Sequence, residues 1–137
     1  MSTTHSAFWD DLSADLADPE FRSEFILQSI RIATIDRVIE ELDHAREAAG
    51  LSKAALARII HSEPATVRRL FSAHQVNPTL GTLSEVAAAL GMQVVLAPLD
   101  GDGREAITEP LLTDRDVDTQ ALARRLSDMR ERAPVPA

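Results

Sequence analysis

The sequence predicts an all-α fold. Apolar side chains recur at helical spacing along most of the 137 residues. Ser, Thr or Asp precedes several of these runs, and Gly follows two of them, as helix starts and stops require. One short segment, Met92 to Leu96 (MQVVL), departs from the pattern: it is nearly all apolar, rich in β-branched residues and ends before Pro98, so it reads as a strand.

Each element has a local reason. Phe8, Leu12 and Leu16 stand at i, i+4 and i+8, which gives a short amphipathic helix from Phe8 to Leu16. Asp18-Pro19 is a helix start, with the aspartate as cap and proline at the first position. That helix runs to about Thr34, with Phe21, Phe25 and Ile26 on one side. A helix continuous with it or separate spans Ile35 to Ala49, striped by Val38, Ile39, Leu42 and Ala45 and stopped by Gly50. Ser52 caps Lys53 to Ile60, and Pro64 opens a helix that reaches about Ser72. Ala73 to Thr79 is a loop around Asn77-Pro78. Thr82 and Glu85 form a capping box for a helix ending near Leu90, closed by Gly91. Asp100 to Gly103 reads as a turn, Glu105 to Asp118 as loop, and Thr119 to Arg132 as a last helix facing inward through Leu122, Leu126 and Met129. The tail 133–137 reads as frayed. The organisation expected is a helical extension over 1–34, a central domain over 35–98, and a loop with a C-terminal helix over 99–137.

Composition narrows the function. The chain has no cysteine, so disulfides and thiolate metal sites are excluded, and a reducing cytoplasm is the expected compartment. Met1 to Phe8 has neither the basic start nor the apolar core of a secretion signal. No apolar run approaches the roughly 20 residues of a membrane span. The net charge of −8 opposes binding to nucleic acid, but it is unevenly spread. Residues 1–49 hold 4 basic and 11 acidic side chains, residues 50–99 hold 4 and 2, and residues 100–137 hold 6 and 9. Only the middle third is positive.

That third contains the run LSKAALARIIHSEPATVRRL, Leu51 to Leu70. Two short helices joined by a three- or four-residue turn make a helix-turn-helix, whose second helix enters the major groove of DNA. Helices crossing steeply need a small residue at their approach, which is Ala57, and a branched apolar residue to pin the second helix, which is Val67. Leu56, Ile60 and Leu70 complete the seam.

Segment 39–97 resembles the Xre or phage-repressor type of helix-turn-helix, on this framework and on NPTLGTLSEVAAALGMQVVL (Asn77 to Leu96). The resemblance implies a five-helix domain, dimerisation and operator binding. It departs at two places. The turn position usually held by glycine is His61, and the start of the second helix, often rich in Gln and Ser, is Glu63-Pro64-Ala65. Proline and alanine offer no hydrogen bonds to base edges. The DNA-binding residues expected are therefore Ser62, Thr66, Arg68 and Arg69, with Lys53 placed like family residues that bond phosphate. By comparison with the family, Arg69 is the candidate for guanine, and Arg68 for phosphate or a base at the site's edge. A lone strand has no ladder partner in a helical chain, so Met92, Val94, Val95 and Leu96 are expected to pair with the same strand of a second copy. The N-terminal DPEFR, Asp18 to Arg22, resembles HigA-like antitoxins, which implies a small basic toxin as partner.

Other signals give no chemistry. DGDGRE, Asp100 to Glu105, begins like a calcium loop, but Arg104, Glu105 and Leu111 occupy positions that need a ligand, a glycine and a glutamate. His5, His44, His61 and His74 lack metal-ligand spacing. Glu40, Glu41, Asp43 and Glu47 lie largely opposite an apolar stripe and read as a solvated face. No phosphate loop or nucleophile elbow occurs, so no enzyme, metal or cofactor is expected. Phe8 and Trp9 read either as an anchor for the first helix or as a docking patch; Arg124, Arg125, Arg130 and Arg132 read either as a solvated face or as a further contact. The expected function is a homodimeric, DNA-binding repressor on an inverted-repeat operator, serving as an autoregulating antitoxin. A stand-alone regulator and a protein-interaction module built on a degenerate motif are the alternatives.

Overall fold

The structure is a computed structural model that describes residues 3–72, 77–113 and 117–131. The regular elements among the described residues are all helical, and the described residues fall into two compact units. The first joins residues 1–33 to residues 97–132; the second is residues 34–96.

The first unit opens with α1, Thr3–Asp15, and the start of α2, Pro19–Ala48. Asp18 caps α2 as its position predicts, its carboxylate accepting from the Glu20 amide at 3.2 Å. Of the two readings open over 19–49 the continuous helix is the one found, because nothing between Thr34 and Asp36 breaks the backbone. The C-terminal part of the unit overturns the loop expected after Asp100. A helical stretch, α6, runs from Gly101–Gly103 through a π turn at Arg104–Thr108 to Glu109–Leu112. Asp100 caps it by accepting from the Gly103 amide at 2.7 Å. Pro110 lacks the N–H that an α-helix needs. Just before it, the Glu109 amide reaches the Arg104 carbonyl, one residue further than in an α-helix. Then α7, Thr119–Glu131, is capped by Asp118 through the Ala121 amide at 3.1 Å.

Burial on α1, α2, α6 and α7 makes one core: Leu12, Leu16, Ile26, Ile107, Leu122, Ala123 and Leu126. Trp9 packs against it, while its neighbour Phe8 stays exposed, their rings edge-on at 5.4 Å. The Ser13 and Thr119 hydroxyls, 2.6 Å apart, tie α1 to the start of α7. Arg22 is only 5% exposed, and its Nη1 donates to the Leu16 carbonyl at 3.3 Å, closing the C-terminal end of α1.

The second unit holds the rest of α2, then α3 (Lys53–Ile59), α4 (Pro64–Ser72) and α5 (Leu80–Ala89). Its core is Leu42, Leu56, Ala57, Val67, Leu70, Val86 and Ala87. Ser52 caps α3 through the Ala55 amide at 3.0 Å. α5 begins earlier than its capping-box residues suggest: Thr79 is the cap, its Oγ1 accepting from the Thr82 amide at 3.1 Å. The five helices expected of this domain number four among its described residues. The described residues from Ile35 to Leu90 hold four helical runs and no more, and Gly91, with φ +77, ends the last of them.

The expected strand is also absent among the described residues. Met92 to Leu96 has no regular structure and is exposed, Leu96 completely. A strand is a property of a pair, and no second extended segment among the described residues pairs with it to supply the ladder. Residues 73–76, His74 among them, expected as loop, and residues 133–137, expected as a frayed tail, lie outside the described residues, as do Arg132 and the side chains of His5 and Arg130.

Three helix ends use the same stop. The amides of Gly50 and Leu51 return to Glu47 and Arg46, those of His61 and Ser62 to Arg58 and Ala57, and those of Gly91 and Met92 to Ala88 and Ala87. Each needs a left-handed residue, with φ +70 at Gly50, +57 at His61 and +77 at Gly91. Histidine therefore takes the conformation that glycine usually supplies, at a steric cost. His61→Gly is expected to raise unfolding free energy by about 0.5–1 kcal/mol, a gain of a few degrees in thermal midpoint. An unchanged or lower midpoint by calorimetry would show the turn to be unstrained.

Candidate nucleic-acid interface

The interface is built from one close approach. Ala57 on α3 is fully buried, so α4 can lie close against it, and Val67 is 1% exposed at the crossing. Leu70, one turn along, continues the inward face of α4. With Val67 and Leu70 turned in, helical geometry turns Thr66, Arg68 and Arg69 out, and all three are exposed.

The other expected residues sit in the same unit. Lys53 is half-buried in the first turn of α3, and Ser62 is half-buried in the turn that His61 opens. Glu63 is exposed at the start of α4, its carbonyl accepting from the Thr66 amide at 3.0 Å. Its carboxylate suits the positive end of the helix dipole, yet it places a negative charge beside the outward face. Arg68 and Arg69 have no carboxylate among the described residues within 4 Å.

Ser62, Thr66 and Arg69 also line a cleft of about 320 Å³ whose opposite wall is Asn77, Thr79 and Thr82. Ile60, Val67, Leu70 and Val86 close its base. Sequence reasoning gave Asn77 and Thr79 only a place in a loop. Their polar side chains add hydrogen-bonding capacity next to Arg69.

Arg46 was missed altogether. Its Nε donates to Asp43 Oδ1 at 2.9 Å and its Nη1 to the Leu51 carbonyl at 2.8 Å. Its guanidinium carbon lies 5.7 Å from the centroid of the Phe71 ring. One side chain thus fastens α2, the turn after Gly50 and the last turn of α4. Asp43 is consequently half-buried, whereas Glu40, Glu41 and Glu47 are exposed, the last reaching Arg46 Nη2 at 3.6 Å. The sequence clue was the i, i+3 spacing of Asp43 and Arg46; the contact with Phe71 depends on tertiary structure.

The remaining candidates stay apart. His44 and His61 are exposed, and no group of metal-ligating side chains converges among the described residues. No described helix is long and apolar enough to cross a membrane.

Comparison with known proteins agrees with this geometry. Residues 42–95, less than half of the chain, match the family model described as Helix-turn-helix. The matched segment begins at Leu42 in the core of the second unit and ends at Val95 in the exposed run. No curated protein and no solved structure matches the chain.

Arg46 gives the test of this architecture. Hydrogen bonds to a charged group contribute about 1.5–3 kcal/mol. Arg46→Ala is expected to cost about 2 kcal/mol in urea denaturation, with Arg46→Lys recovering less than half, since an ammonium cannot keep the planar fork. Equal stability of all three proteins would remove Arg46 from this role.

Proposed function

We propose that this chain is a sequence-specific DNA-binding repressor that acts as a two-fold dimer. The observation that carries the reading is the pair Arg68 and Arg69, exposed on a short helix whose opposite face is anchored in a helix-turn-helix core. Arg69, beside Thr66 and Ser62, reads base edges, where a bidentate arginine contact to guanine distinguishes a base pair by about 1–3 kcal/mol. Arg68 and Lys53 engage phosphates and fix register.

The exposed run Met92 to Leu96 supports the dimer. Its backbone lacks a ladder, and Val94 and Val95 offer apolar side chains for pairing. An antiparallel pair of identical runs is related by a two-fold axis, which places two α4 helices on half-sites about one turn apart, roughly 34 Å, on an inverted repeat.

The setting we favour is an antitoxin that represses its own operon and neutralises a small basic toxin. The acidity of residues 1–33 with 97–132, which hold 8 basic and 15 acidic side chains, supports a basic partner. A small basic reading frame beside the gene, whose toxicity this chain suppresses on co-expression, distinguishes this setting from a stand-alone regulator.

Two measurements test the core of the proposal. In a gel-shift titration with the gene's own promoter, binding is expected to weaken steeply with salt and to fall more than about tenfold in Arg69→Ala. No shift by the wild-type chain at low salt would overturn DNA binding. Val95→Pro removes a backbone donor from the proposed ladder and should shift sedimentation toward the monomer. An unchanged profile would reject the strand-paired dimer.

A further inference from the structure

The first unit carries a groove that DNA recognition leaves unused. It lies along α6 and the start of α7 and encloses about 720 Å³, within the ~300–1,000 Å³ range of ligand sites. Its base is apolar, with Pro110 buried, Ala106 half-buried, and Ala121 beside them. Glu105, Glu109 and Asp118 stand exposed on its rim, with Asp102 and the cation Arg104 at one end. The wall includes the π turn Arg104–Thr108, a rare geometry found disproportionately at functional sites.

We propose that this groove docks a lysine- or arginine-rich segment of a partner protein. Charge complementarity selects the occupant. The groove belongs to the unit with 8 basic and 15 acidic side chains, whereas residues 34–96 hold 6 and 7. A field of that sign repels nucleic acid and draws in cations. The apolar base selects the form of the cation. Long basic side chains lay their methylene stems on apolar surface while their charged heads meet carboxylates at the edge. A bare metal ion makes no use of such a base, and the described acids form no metal-holding group. The inference rests on the basic-partner reading above and is independent of DNA binding.

The test uses the full chain and a fluorescein-labelled peptide of alternating arginine and alanine, followed by anisotropy, with an alternating glutamate and alanine peptide as control. Ala121 is exposed, so Ala121→Trp fills the groove without entering the core or altering charge. Glu105→Gln with Glu109→Gln neutralises the rim. Glu20→Gln with Glu24→Gln removes the same charge from exposed positions on α2, outside the groove lining. Ala121→Trp and the rim pair are each expected to weaken binding at least about tenfold, and the α2 pair less than about twofold. Absence of binding at low salt, or equal losses for the two charge pairs with none for Ala121→Trp, overturns the groove. A basic toxin that binds the rim pair and Ala121→Trp as tightly as wild type also overturns it, while leaving the basic-partner reading intact. All variants are expected to shift promoter DNA as wild type does, so failure of DNA recognition shows separately.

Discussion

The burial of Ala57 against Val67 is the constraint on which the candidate interface depends. A larger side chain at Ala57 would push α4 away, and a smaller one at Val67 would leave it unpinned. Because that approach is dry and close, the outward direction of Thr66, Arg68 and Arg69 follows without further contacts of their own. Arg46 reinforces the same arrangement from outside the core. It satisfies the Leu51 carbonyl beyond the Gly50 stop and rests on Phe71, so the last turn of α4 is held as well as its first.

The two units divide the chemistry. The helix-turn-helix unit is near electrical balance overall but leaves Arg68 and Arg69 exposed on one short helix, with no carboxylate among the described residues within 4 Å of either. The unit formed by the two ends of the chain concentrates acidic residues. A single net charge for the protein therefore conceals an uneven distribution, and −8 alone is no argument against nucleic acid at the helix-turn-helix.

Much of the fold was legible where the controlling interaction is local. Ser52, Asp18 and Gly50 act within a few residues of themselves, and the seam of Leu56, Ala57, Val67 and Leu70 follows from helical spacing. Even the departure at His61 could be placed, because a helix stop has a fixed register of hydrogen bonds. Legibility ended where distant segments decide. Glycines at 101 and 103 and proline at 110 resemble a loop, yet Asp100 caps the stretch, Ile107 is buried among α1 and α7 residues, and a π turn precedes the proline. Met92 to Leu96 has the composition of a strand, but composition cannot supply the neighbour that makes one. Among the interface residues, Thr66, Arg68 and Arg69 followed from one helix, whereas Arg46, Asn77 and Thr79 acquire their places only through packing with other elements.

The bare run after Gly91 has a colloidal consequence. Exposed backbone outside any ladder, flanked by Val94, Val95 and a wholly exposed Leu96, has the composition of an adhesive edge. The folded chain carries that run into a crowded solution. Mutual repulsion between anionic bodies slows indiscriminate sticking there. The acidic surplus thus also acts as a guard against indiscriminate association through this run.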